Sequence, residues 1–141
     1  CLHKADKTLY QSLPIQRAMF GFAPSMPGKV DEWIEDGQEY SLNFADGEFK
    51  NFLTTIYTPG HTEGSCSFYT EYFENPILFS GDTLFQSSIG RTDLPGGDFD
   101  KIKKSIKSRL YCLPDETRVI TGHGADTQIY HEKKNNPFVS G

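Results

Sequence analysis

Cysteine is scarce and poorly placed for pairing. Cys1, Cys66 and Cys112 are odd in number and widely spaced, and they include no Cys-x-x-Cys pair. That pattern excludes a disulfide framework and a zinc knuckle, and makes a reducing, cytoplasmic compartment the expected one. No apolar run approaches the length of a bilayer span, and no basic-then-apolar leader opens the sequence, so no membrane association is expected. Cations are short as well: 14 Lys and Arg stand against 19 Asp and Glu, a net charge of −5. A nucleic-acid or anionic-membrane surface needs clustered cations, so neither partner is expected. The one basic cluster, Lys101, Lys103, Lys104, Lys107 and Arg109, falls on a predicted helix and reads as its solvated face. Repeats and low-complexity tracts are absent. So is an initiator methionine: the first residue is Cys1, as expected of a processed chain or one with upstream sequence missing.

What is present describes one folded domain. The chain has 141 residues, 36% of them apolar, with Phe and Tyr supplying most of the aromatics. That is long enough for one core and too short for two. Leu2 to Lys7 reads as a strand end running into a short helix, and Pro14 starts a second helical piece reaching Phe20. Gly21 to Lys29, with two prolines, reads as a loop. Strands are predicted over Gln38–Phe44 and Glu48–Tyr57, joined by a hairpin at Ala45-Asp46-Gly47, and again over Ser65–Thr70 and Pro76–Phe79. Asp98 is a candidate N-cap for a helix whose Phe99, Ile102, Ile106 and Leu110 recur at helical spacing. Pro114-Asp115 ends that helix, Thr117–Thr121 reads as a strand and Thr127–Lys134 as a final helix. The expected class is an α/β layered sandwich.

Three of these strands finish alike, with a small residue or glycine followed by a metal-ligand side chain. The sequences are Ile56-Tyr57-Thr58-Pro59-Gly60-His61-Thr62, Phe79-Ser80-Gly81-Asp82-Thr83 and Ile120-Thr121-Gly122-His123-Gly124. Imidazole and carboxylate suit borderline cations such as zinc. Glycine beside each ligand lets the backbone turn sharply and leaves room for a metal. Ligands at the ends of neighbouring strands can converge on one point. Each motif alone is a common turn; the three together, each after an apolar strand, are not.

This combination resembles the metallo-β-lactamase superfamily, and Leu2 to Val139 is similar to the later part of its domain. The string Ile89-Gly90-Arg91-Thr92-Asp93-Leu94-Pro95-Gly96-Gly97, with Tyr130-His131-Glu132 and Asn136-Pro137-Phe138, narrows the resemblance to short glyoxalase II-like thioester hydrolases. The resemblance implies the carboxy-terminal half of an αββα sandwich over residues 1–141. It implies that His61 binds a first metal, His123 a second, and Asp82 bridges both. It implies a pair of zinc ions, with iron or manganese as alternatives, and a metal-bound hydroxide that attacks a thioester such as an S-2-hydroxyacylglutathione. Arg91 stands where such enzymes contact the glutathione moiety, with an ion pair to Asp93 or Asp98 as its structural alternative.

Two departures accompany the resemblance. The leading His-x-His-x-Asp-His motif is absent, and His3 and Asp6 do not fill it. No helical glutathione-binding domain follows His123. This chain alone is therefore expected to be inactive, to hold no metal or one weak ion, and to self-associate through an exposed sheet edge. Two further readings stay open. One is an iron-dependent persulfide dioxygenase, with His61 and Asp82 on the iron and His123 behind them. The other is a non-catalytic homologue or fragment.

Overall fold

A computed structural model of the chain describes residues 1–43 and 49–140. The hairpin expected at Ala45-Asp46-Gly47 lies outside the described residues. The chain opens with a two-residue strand, β1 (Leu2–His3), a 3₁₀ turn over Lys4–Asp6, and two short helices, α1 (Lys7–Gln11) and α2 (Leu13–Met19). β2 (Trp33–Ile34), which the sequence pattern does not announce, pairs in parallel with β1.

The main sheet has six strands: β3 (Glu39–Asn43), β4 (Phe49–Tyr57), β5 (Cys66–Thr70), β6 (Ile77–Gly81), β9 (Arg118–Thr121) and β10 (Thr127–Gln128). Their spatial order is β10-β9-β6-β5-β4-β3. β4–β5 and β5–β6 are antiparallel, whereas β6–β9 is parallel. Strands β4, β6 and β9 therefore run the same way and finish at one edge of the sheet. This corrects one expectation: β4 does not neighbour β6, because β5 lies between them. The ligand-bearing strands share a direction instead of a common border.

One face of the sheet is covered. Asp98 caps α3 (Phe99–Ser105) by accepting the Lys101 amide at 2.9 Å. The helix then widens into a π-helical turn, Ile106–Leu110, in which the Tyr111 amide donates to the Ile106 carbonyl at 2.9 Å. Ile102, Ile106 and Leu110 are fully buried against Leu78 of β6, Val119 of β9 and Val139. The register Thr54–Tyr69–Leu78–Val119 marks this face, and Thr55–Phe68–Phe79–Ile120 the opposite one. Phe99 does not join the core as its spacing suggested. It is 46% exposed in the first turn of α3, under the Lys103 ammonium at 5.2 Å.

Two further corrections concern short elements. Thr127 and Gln128 do not start the last helix. They pair with β9 as β10, and the helix proper is α4 (Ile129–Asn135). Between β6 and α3 lies an unforeseen hairpin, β7 (Leu84–Phe85) and β8 (Ser88–Ile89). Two-residue strands are too short for the alternation that reveals a strand in sequence.

A candidate metal centre at the sheet edge

His61, Asp82 and His123 all stand where β4, β6 and β9 finish. The parallel pairing of β6 and β9 sets Gly81 opposite Thr121, and the Gly122 amide donates to the Gly81 carbonyl at 2.9 Å. Asp82 and His123 leave the sheet together as a result. The loop after β4 turns back over the start of α3, where the Asp98 amide donates to the Gly60 carbonyl at 2.8 Å and the Ser105 hydroxyl donates to that of Pro59 at 2.8 Å. Gly60 and Gly81, which precede His61 and Asp82, have φ of +140° and +52°, values that disfavour side chains with a Cβ.

Asp82 lies between the two imidazoles. Its Oδ2 is 3.7 Å from His61 Nε2 and its Oδ1 is 3.8 Å from His123 Nε2. Both distances are too long for a hydrogen bond. They are near the separation of two donors on one cation with bonds of about 2.0–2.2 Å. The tautomer of His61 agrees. Its Nδ1 lies 2.9 Å from the Arg91 carbonyl oxygen, which can only accept. Nδ1 therefore donates to that carbonyl, which leaves Nε2, the nitrogen facing Asp82, as the one placed to bind a metal. His123 is more open, with its side chain 76% exposed and its ring 4.5 Å from that of Phe85. Imidazole and carboxylate donors at these separations are of a kind that fits divalent cations. Among the described residues no three His, Cys, Asp or Glu side chains converge on a single ion.

The glycines at this edge are required by contact. A Cβ on Gly122 would stand 2.3 Å from Asp82 Oδ1, and one on Gly90 only 1.8 Å from the Asp82 carbonyl oxygen. Beneath the site runs a buried hydroxyl chain. Thr58 Oγ1 is 3.1 Å from Ser67 Oγ and 3.1 Å from Thr83 Oγ1, so the turn carrying His61 is tied to the turn carrying Asp82. Asp6 is no ligand. Its two oxygens accept from the Thr62 hydroxyl and the Gly64 amide, each at 2.7 Å, and clamp the turn after His61.

These groups border a cavity of about 480 Å³, lined also by Phe85, Gln86, Ile89, Gly124 and Ala125. Arg91 also lines it. The Arg91 guanidinium holds Asp93 in a two-point pair at 2.8 and 2.9 Å. That hydrogen bond and charge draw the Asp93 carboxyl down to about 2. The site residues read from the sequence are therefore brought to one cavity. Phe85 and the Arg91 carbonyl were missed. A backbone oxygen has no sequence signature, and Phe85 carries no chemistry to mark it.

The sequence profile of the metallo-beta-lactamase superfamily matches residues 5–123. The hydroxyacylglutathione hydrolase GloC of Haemophilus influenzae is 39% identical over 138 residues, covering 98% of this chain and 62% of that protein. The probable metallo-hydrolase YqgX of Bacillus subtilis is 45% identical over 112 residues, 79% of this chain and 49% of its own length. Among solved structures, TTHA1623 in a di-iron-bound form superposes with a TM-score of 0.80 at 34% identity, covering 98% of this chain and 63% of that one. The chain thus spans between half and two thirds of these relatives. Its fold is that of a metallo-beta-lactamase, a fold that binds metal ions, and the chain belongs to the metallo-beta-lactamase superfamily.

Proposed function

We propose that this chain is the part of a metal-dependent hydrolase that supplies His61, Asp82 and His123, and that the complete protein cleaves a thioester of the S-2-hydroxyacylglutathione kind. The observation that carries the reading is Asp82, whose two oxygens face two different imidazoles at 3.7 and 3.8 Å. With one oxygen toward each imidazole, Asp82 would be the residue to hold two cations between His61 and His123. When bound, such cations supply Lewis acidity and water of lowered pKa at neutral pH. The chain's own residues do the rest. The Arg91 carbonyl holds His61 in the tautomer that leaves Nε2 open. The hydroxyl chain through Thr58 keeps the His61 and Asp82 turns at a fixed spacing. Arg91 exchanges Asp93 for a substrate carboxylate, which a guanidinium accepts in the same two-point geometry. Zinc is the proposed metal, and iron the alternative supported by the di-iron-bound relative.

The test uses the longest reading frame that encodes this chain, purified with its metals. Hydrolysis of an S-2-hydroxyacylglutathione is expected, with Asp82→Ala reducing kcat/KM by at least about a thousandfold. Arg91→Ala should raise KM for the glutathione thioester well above its effect on a thioester without glutathione. Two bound metals with no thioester hydrolysis would overturn the reading. One iron per chain with oxygen-dependent turnover of a persulfide would replace it by the dioxygenase.

A further inference from the structure

Glu132 is a carboxylate with no part in the chemistry above, and it is completely buried on α4. A buried charge is costly unless its oxygens are satisfied. No Lys or Arg meets it among the described residues, and the His131 ring comes no nearer than 3.9 Å, through Nε2. Three uncharged donors satisfy it. The Thr127 hydroxyl donates to Oε1 at 2.6 Å, while the Ser87 amide at 3.0 Å and the Asn136 side-chain amide at 2.8 Å both donate to Oε2. Asn136, 2% exposed, also donates to the Ser88 carbonyl at 3.0 Å.

Two of these bonds end on the turn of the β7–β8 hairpin. Ser87 holds a φ of +53°, the one positive φ outside glycine among the described residues. Two residues before it is Phe85, whose ring lies 4.5 Å from that of His123. The hairpin also forms one wall of the cavity, through Phe85, Gln86, Ser88 and Ile89. His123 is the most exposed of the three candidate ligands, at 76% against 42% for Asp82 and 23% for His61. The tilted ring contact with Phe85, at an interplanar angle of 32°, packs against this exposed side chain.

We propose that Glu132 and Asn136 form a positioning clamp: from α4 and the residue that caps it they fix the Ser87 turn, and through it seat Phe85 against His123 and set one wall of the cavity. Neither residue touches a reacting atom. The consequence for metal binding rests on the metal-hydrolase reading, whereas the clamp itself is a property of the folded chain.

The experiment is therefore made without metal, on the chain as it stands, by following the His123 ring protons and the exchange of the Ser87 amide by NMR. Phe85→Ala supplies the His123 shift expected when the ring contact is gone. Glu132→Met, close in shape but without acceptors, should move the His123 shift to that value and speed Ser87 exchange by at least about tenfold. Glu132→Gln, which can still offer an oxygen to the Ser87 amide, should restore both. Thr127→Val removes the bond to the same carboxylate that does not lead to the hairpin. It should lower Tm while leaving both signals unchanged. Should Glu132→Met not fold, Asn136→Leu tests the same hairpin through Ser88. Wild-type His123 shift and Ser87 exchange in a folded Glu132→Met protein would overturn the clamp. So would Thr127→Val moving both signals as far as Glu132→Met does.

Discussion

Gly122 and Gly90 both press on Asp82, yet substitution should act differently at each. An alanine Cβ at position 122 meets Asp82 Oδ1 at 2.3 Å, the far end of a side chain that can swing away. Gly122→Ala should therefore fold with a Tm within a few degrees of the parent and lose affinity for zinc by isothermal titration. At position 90 the Cβ would meet the Asp82 carbonyl oxygen at 1.8 Å, which cannot yield without moving the strand end. Gly90→Ala should lose stability first. Cys66 is a second case in which surroundings decide. Burial, with Asp36 and Asp6 nearby, pushes its thiol up to about 12, whereas Cys1 and Cys112 are exposed. At pH 8 roughly one Cys66 in ten thousand is thiolate, so alkylation by iodoacetamide should label Cys1 and Cys112 and spare Cys66 in the folded chain. Rapid labelling of Cys66 would contradict the packing described. Asp93 gives a pH dependence. Its carboxyl is drawn down by Arg91, so the pair is present above the ordinary aspartate value near 3.9 and is lost as the pH falls through about 2. The Asp93 carboxyl carbon should show that low midpoint by NMR, and Arg91→Ala should raise it toward the ordinary aspartate value, with the hydrogen bond from its own backbone amide still holding part of the shift.

At the scale of elements, the strand ends matter more than the strands. Ile56, Leu78 and Val119 announce their strands through apolar runs, and the residues after them announce ligands, so β4, β6, β9 and all three candidate ligands were legible in the sequence. The order of the strands was not. Nothing in the sequence of β5 says that it inserts between β4 and β6, because pairing is decided by which faces bury together. The β7–β8 hairpin was hidden for a similar reason: two-residue strands show no period, and the bonds that hold it come from Glu132 on α4 and Asn136 just after it, 45 and 48 residues away. Widening to a π-helix at Ile106 has no sequence mark we can name. The hydroxyl chain beneath the site offers a test at this scale. Thr58→Val leaves the Ser67 and Thr83 hydroxyls without their shared partner in a fully buried position, at a cost of about 1–3 kcal/mol. Thr58→Ser keeps the bonds and should recover most of that loss in chemical denaturation. A loss for Ser with none for Val would show that the methyl group matters and the hydroxyl does not.

Across the whole molecule, the sheet carries helices on one face and presents the row Phe68–Phe79–Ile120 on the other, each of the three only half-buried. No helix among the described residues is long and apolar enough to cross a membrane. The molecule gathers its chemistry at a single edge, where three parallel-running strands finish, and Asp82 is the residue on which that arrangement turns. Its role is tested most directly by titrating the chain with Zn²⁺ while following the ring signals of its four histidines. His3 is stacked on Tyr57 at 4.4 Å, and His131 lies on α4, so both serve as internal controls. The account predicts that zinc moves the His61 and His123 signals together, leaves His3 and His131 in place, and moves none of them in Asp82→Ala. Undiminished responses of His61 and His123 in Asp82→Ala, or a wild-type response confined to His3 and His131, would contradict it.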